Sequence, residues 1–147
     1  MPAKTVIFDL RVKLLHDFGT QPRNFLAYNP QGRLLCIAGF GNLAGQVDIW
    51  DRKTLKKVCT IEAPNTSHCE WSPDGRYLLC ATLSPRLRVD NGIRIFHYTG
   101  GLMHVDHMEE LYQVRSASSL ERARLLMNDA GFMATRERRA LPFRRSS

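Results

Sequence analysis

Short apolar runs recur along this chain, each introduced by the same turn residues. The stretch Tyr28-Asn29-Pro30-Gln31-Gly32-Arg33-Leu34-Leu35-Cys36-Ile37-Ala38 returns 43 residues later as Trp71-Ser72-Pro73-Asp74-Gly75-Arg76-Tyr77-Leu78-Leu79-Cys80-Ala81. An aromatic residue, a Pro-x-Gly-Arg turn and an apolar run follow one another both times. Beyond a variable loop, Val47-Asp48-Ile49-Trp50 recurs as Ile93-Arg94-Ile95-Phe96, 46 residues on. Self-similarity at this period is the mark of propeller blades.

Each part of the repeat suits a four-stranded antiparallel blade. Pro30 and Pro73 preset the backbone for the second position of a tight turn, which Gly32 and Gly75 end. The runs from Leu34 and from Leu78 are apolar on both faces, as a strand buried between neighbouring blades must be. In Val47-Asp48-Ile49-Trp50, Val47 and Ile49 point one way and Asp48 the other. A turn over Asp51 to Thr54 leads to a fourth strand, Lys56 to Glu62, and Thr99-Gly100-Gly101 makes the matching hairpin in the second blade. Upstream, Val6-Ile7-Phe8-Asp9 resembles the third-strand motif, with Lys13 to Phe18 as its partner. Downstream, Leu111-Tyr112-Gln113-Val114-Arg115 reads as a first strand.

The pattern therefore predicts an all-β fold, a partial WD40-like β-propeller of about two and a half blades. A half blade covers residues 5–18, whole blades cover 24–62 and 68–106, and the first strand of a further blade covers 111–115. Residues 116–147 form a divergent basic tail. There Ser118-Ser119-Leu120-Glu121 has the form of a capping box opening a short helix over Leu120 to Asn128, stopped at Gly131. Thr135 to Ser147 is arginine-rich and expected to be disordered. Propellers typically close with 4–8 blades, so this chain is expected to be a piece of a larger ring.

Charge and cysteine content refine the picture modestly. The net charge is +7, and the last 32 residues hold +4 of it. A basic balance favours an RNA or ribosomal partner. The N-terminus lacks the form of a secretory signal, and no apolar run reaches the ~20 residues needed to span a bilayer, so the expected location is cytoplasmic, with no membrane partner. Cys36, Cys59, Cys69 and Cys80 contain no Cys-x-x-Cys pair. Three of them lie in strand-like runs, which predicts buried free thiols and not a disulfide framework or zinc site.

Residues 1–115 resemble the later propeller blades of the eukaryotic translation initiation factor 2A family. The resemblance is carried by Met1-Pro2-Ala3-Lys4, by Asp17-Phe18-Gly19-Thr20, and by Leu34 to Gly45 with its Ala-Gly-Phe-Gly-Asn-Leu core. It continues through Trp71 to Gly75, Pro85-Arg86-Leu87-Arg88-Val89, Asn91-Gly92, His97-Tyr98-Thr99-Gly100 and Leu111-Tyr112-Gln113-Val114. What it implies is a factor that binds the small (40S) ribosomal subunit and directs initiator methionyl-tRNA to it without GTP, on selected mRNAs, alongside other initiation factors. It implies no catalytic residue, cofactor or metal. Met1 matches an internal methionine of the family, and Ser116 to Ser147 departs from the family's continuation. The early blades are thus expected to be absent, as in a truncated isoform, a misjoined gene model or a degraded paralogue. The alternative roles are a propeller scaffold for protein–protein contacts within initiation complexes, or a non-functional truncated isoform.

Candidate RNA-binding residues are Arg86 and Arg88, in a loop of the second blade, because arginine forks grip phosphate bidentately. Lys53, Lys56 and Lys57 form a second basic strip. Trp50, Trp71 and Phe96 could stack on bases, but aromatic residues at blade positions usually serve the core. Asp48, Asp51 and Asp90 are read as exposed strand or turn carboxylates. Two motifs point elsewhere and are set aside. Gly39-Phe40-Gly41-Asn42-Leu43-Ala44 matches a dinucleotide fingerprint, the only support for a nicotinamide-dependent enzyme, but an alternating strand and not a helix is expected next. His104-Val105-Asp106-His107, with His97 nearby, lacks the convergent geometry of a metal site.

Overall fold

A computed structural model describes residues 2–84, 90–116 and 132–136. It holds a two-stranded unit of β1 (Ala3–Phe8) and β2 (Leu14–Gln21), followed by two four-stranded antiparallel blades. The first blade runs β3 (Phe25–Tyr28), β4 (Leu34–Ala38), β5 (Gln46–Asp51) and β6 (Lys56–Glu62). The second runs β7 (His68–Trp71), β8 (Tyr77–Thr82), β9 (Gly92–His97) and β10 (Leu102–His107). In each blade the strands neighbour one another in chain order, joined by hairpins. Last come β11 (Leu111–Ser116) and β12 (Phe132–Arg136), an antiparallel pair with Ser116 opposite Phe132. Thus β12 takes in Thr135 and Arg136, the start of the stretch expected to be disordered, and gives β11 a partner for one edge. The proposed helix at Leu120 to Asn128 and the rest of the tail lie outside the described residues. No helix among the described residues is long and apolar enough to cross a membrane.

The repeated turns have one construction with two chemistries. Asn29 Oδ1 accepts the amides of Arg33 (2.9 Å) and Leu34 (3.0 Å), while Ser72 Oγ accepts the amide of Tyr77 (3.0 Å). In both, the glycine amide returns to the first residue's carbonyl at 2.9 Å. Gly32 and Gly75 adopt φ of +69° and +72°, a conformation that costs a residue with a Cβ about 1–2 kcal/mol. The turns also bond to each other. Gln31 Nε2 donates to the Asp74 carbonyl (2.6 Å), and a Cβ on Gly75 would lie 1.8 Å from Gln31 Oε1.

Blade faces pressed together make the core. Leu34, Cys36, Ala38, Val47, Ile49 and Ile61 of the first blade meet Cys69, Trp71, Leu78, Cys80 and Phe96 of the second. Trp71 Nε1 donates across the seam to the Ala27 carbonyl (3.2 Å). A second core joins Leu79, Ala81, Ile93 and Ile95 to Leu111 and Val114 of β11. The half blade is held at Trp50, whose ring meets Phe18 edge-on at 4.9 Å between centroids and His16 at 5.7 Å.

Asp48 departs from its expected exposed place. It is buried (3% exposed) and bonded to the equally buried Arg23 guanidinium. Thr60 Oγ1 donates to its other oxygen (2.7 Å), and Lys57 Nζ lies 3.3 Å from that oxygen. Arg23 in turn bonds the Gln46 carbonyl, the Gln46 side chain and Gln21. The alternation of β5 is real, but both its faces are covered, so its polar face needs an internal counter-charge.

Two outcomes follow for stability, read by urea unfolding. Gly75→Ala loses more than Gly32→Ala, because a Cβ at Gly32 meets only Arg52 Nη1 at 4.0 Å whereas one at Gly75 displaces the Gln31 side chain from its contact with the facing turn; the Gly32 loss is about 1–2 kcal/mol. Equal losses would show that the turn-to-turn contact contributes nothing. Asp48→Ala strands a buried guanidinium and costs about 3–5 kcal/mol; a loss below about 1 kcal/mol, the range of an exposed pair, would contradict that burial.

Candidate nucleic-acid interface

Four exposed cations, Arg52, Lys53, Lys56 and Lys57, lie on the β5–β6 hairpin. Its tip is built by Asp51, whose Oδ1 accepts the amides of Lys53 (2.8 Å) and Thr54 (3.3 Å). Leu55 follows at φ +55° and brings the chain back into β6. Arg33 grips the same carboxylate in a fork, Nε to Oδ1 at 2.9 Å and Nη2 to Oδ2 at 2.8 Å. That guanidinium, with the two turn amides, holds the Asp51 carboxyl at about 2 against an ordinary 3.8. Asp51 is thus a turn former, as read from the sequence, with its charge answered by Arg33. Arg52, Lys53 and Lys56 stand exposed around it.

The hairpin divides the expected lysine strip. Lys53 and Lys56 project to solvent. Lys57 is also exposed, but its Nζ pairs with the buried Asp48 and lies 5.6 Å from the centroid of the Trp50 ring. Arg52 and Arg33 belong to the same patch and were missed. Arg52 stands one residue from Lys53, but Arg33 reaches the hairpin only through the pairing of Leu34 with Asp51. Arg86 and Arg88 lie outside the described residues. Asp90 is exposed at φ +56°, as a loop former would be. Trp71 and Phe96 are buried, and Trp50 is packed against Phe18, so these rings serve the seams.

The glycine-rich loop after β4 is accounted for by its own bonding. Asn24 pairs with both the amide and the carbonyl of Phe40 (2.8 and 2.9 Å). A Cβ on Gly39 would sit 2.3 Å from the Pro22 carbonyl oxygen, and one on Gly45 equally close to that of Ala63. The glycines let strands approach, and β5 follows the loop directly. His97 Nδ1 lies 2.8 Å from Thr99 Oγ1 within its own turn, while His104 is exposed on β10. Among the described residues no three His, Cys, Asp or Glu side chains are placed to hold a metal ion.

The thiols form a group that sequence spacing did not reveal. Cys69 and Cys80 face each other across β7 and β8, with sulfurs 4.0 Å apart, and Cys36 of the first blade is buried in the same core. All four cysteines are free; Cys59 is half-buried and the others buried. Burial, then the two neighbouring thiols, push the Cys69 thiol well above its ordinary range, which keeps it a weak nucleophile. The repeat alignment held the clue. Cys36 matches Leu79 and Ile37 matches Cys80, so Cys36 and Cys80 fall on opposite faces of equivalent strands and meet when the blades stack.

Comparison with known proteins accords with this architecture. The family model described as eukaryotic translation initiation factor eIF2A matches residues 1–114. Eukaryotic translation initiation factor 2A of Schizosaccharomyces pombe is 50% identical over 114 residues, covering 77% of this chain and 20% of that protein. A crystal structure of the eukaryotic initiation factor, 50% identical, superposes with a TM-score of 0.74 over 77% of this chain and 28% of its own. The β-propeller domain of the trilobed protease from Pyrococcus furiosus shares the fold alone, at 18% identity and a TM-score of 0.51 over 73% of this chain and 35% of its own. The chain spans about a fifth of the length of the curated relatives it matches. With two stacked blades, their shared turns and a family match that reaches from the half blade into β11, the chain belongs to the eukaryotic translation initiation factor 2A family.

Proposed function

We propose that this chain works in translation initiation in the cytoplasm, as a section of a binding platform and not as a catalyst. In this reading it contributes to holding the small ribosomal subunit and to directing initiator methionyl-tRNA there without GTP, on selected mRNAs. The observation that carries the reading is the family match over residues 1–114. The exposed cations of the β5–β6 hairpin support it, since Arg52, Lys53 and Lys56 stand clear of internal carboxylates while Arg33 answers Asp51. Cations so placed suit the phosphate backbone of rRNA or tRNA, which rewards charge without base reading.

Lys53→Glu with Lys56→Glu tests the hairpin, and Arg86→Glu with Arg88→Glu tests the loop. Each pair is expected to reduce co-sedimentation with small subunits and to lower the salt slope of binding by about 1 for every phosphate no longer neutralised. Binding of both variants at wild-type strength, with unchanged salt dependence, would remove these residues from the interface.

A further inference from the structure

Connections between strands fall on two opposite rims of the stacked blades. The β3–β4 turn, the β5–β6 hairpin and the β7–β8 turn lie on one rim. The β1–β2 turn joins them there, since His16 and Phe18 of β2 pack on Trp50, next to the β5–β6 hairpin. The β4–β5 loop and the links from β2 to β3, β6 to β7 and β10 to β11 lie on the other rim. Blades in a ring stack face to face, so the rims stay open whatever number of blades the ring holds.

The first rim repeats one turn chemistry. Asp9 Oδ1 accepts the amide of Arg11 (2.8 Å), Asp51 Oδ1 that of Lys53 (2.8 Å) and Asp74 Oδ1 that of Arg76 (3.1 Å). Each carboxylate fastens the backbone of a cation two residues on, and Asp9 fastens Lys13 as well (2.8 Å). All of these cations are exposed. Arg33, Arg52 and Lys56 add to them, so cations outnumber carboxylates on this rim. The opposite rim has the other sign among the described residues. Glu62, Asp90, Asp106 and Glu109 are exposed there. Its Arg23 is engaged by Asp48, Lys4 by Asp17 (3.2 Å) and Arg94 by the Pro64 carbonyl (2.6 Å). A six-residue strand such as β5 holds the rims about 20 Å apart. At about 0.15 M salt the screening length is about 8 Å, so each rim presents its own charge.

The geometry points to the first rim, across all three sets of turns, as a track for RNA backbone. Stacked sheets set the fastened cations of successive blades about 10 Å apart. Charges anchored at that interval answer phosphates and position an RNA without reading its bases. The acidic rim faces away from the RNA, which fixes how the blades are oriented on it. This assignment rests on the initiation role proposed above, which makes RNA, and not an acidic protein, the polyanion met.

Fluorescence anisotropy of a labelled RNA stem-loop of arbitrary sequence, titrated with the whole 147-residue chain, tests it. Arg11→Glu with Arg76→Glu alters exposed turn side chains on either side of the β5–β6 hairpin. It is expected to weaken binding about thirty-fold at about 0.15 M salt and to lower the salt slope by about 2, with the β-sheet circular dichroism unchanged. Glu62→Lys with Asp106→Lys, on the acidic rim, is expected to stay within about two-fold of the wild type. A wild type that leaves the RNA unbound overturns the proposal, as does a basic-rim variant that binds at wild-type strength. So does an acidic-rim variant whose gain matches the other's loss, which marks attraction by net charge alone, or displacement by polyglutamate as readily as by unlabelled RNA. Sedimentation with small subunits separates the track from the role it rests on. Sedimentation unchanged by the Arg11 and Arg76 reversals refutes the track and keeps the role. RNA binding that depends on both arginines, in a chain that leaves small subunits unbound, keeps the track and refutes the role.

Discussion

The face-to-face seam between two blades decides most of what this molecule is. A single antiparallel sheet of four short strands has two faces and no core of its own. Here β4 and β8 are apolar on both sides, so neither face tolerates water. Leucine, cysteine and tryptophan side chains become a core only when the sheets stack. The seam is also polar where polarity is needed. Trp71 spends its single donor on the Ala27 carbonyl, and the turn side chains of one blade complete the backbone bonding of the other. Shape and hydrogen bonding therefore specify the same neighbour.

Much of this was legible in the chain because turn chemistry and apolar runs recur in register. Pro and Gly placed the β3–β4 and β7–β8 turns, and the apolar runs placed the central strands. What stayed hidden involves groups that meet only through stacking. Asp48 sits at a position that alternation assigns outward, and its counter-charge, Arg23, lies 25 residues away in a connecting segment. Nothing local announces the pair. The same holds for Lys57, which reads as one more surface lysine until Trp50 and Asp48 are placed beside it. For the basic patch, sequence proximity found Lys53 and Lys56 but not Arg33, which arrives through strand pairing.

The electrostatics of the fold fall into two regimes as a result. Between the half blade and the first blade, Asp48 is enclosed, so its partners settle whether the fold tolerates it. At the hairpin tip, Asp51 and Arg33 are near solvent, and their fork shapes the turn more than it stabilises the chain. The first arrangement is a structural clasp. The second leaves a rigid loop that presents lysines outward with its one carboxylate already satisfied.

The nearest-neighbour strand order bears on how such a chain acquires its structure. Within a four-stranded blade each strand pairs with the strand before or after it, so the loops to be closed are short and their closure entropy is small. Pairing is thus an early and local event, available to either blade alone. Burial is not, because a finished blade still lacks the surface that covers it. Nucleation is distributed along the chain, while commitment waits for two sheets to collide. Cooperativity in this molecule resides between its repeats and not inside them, as in a one-dimensional array whose units hold only in company.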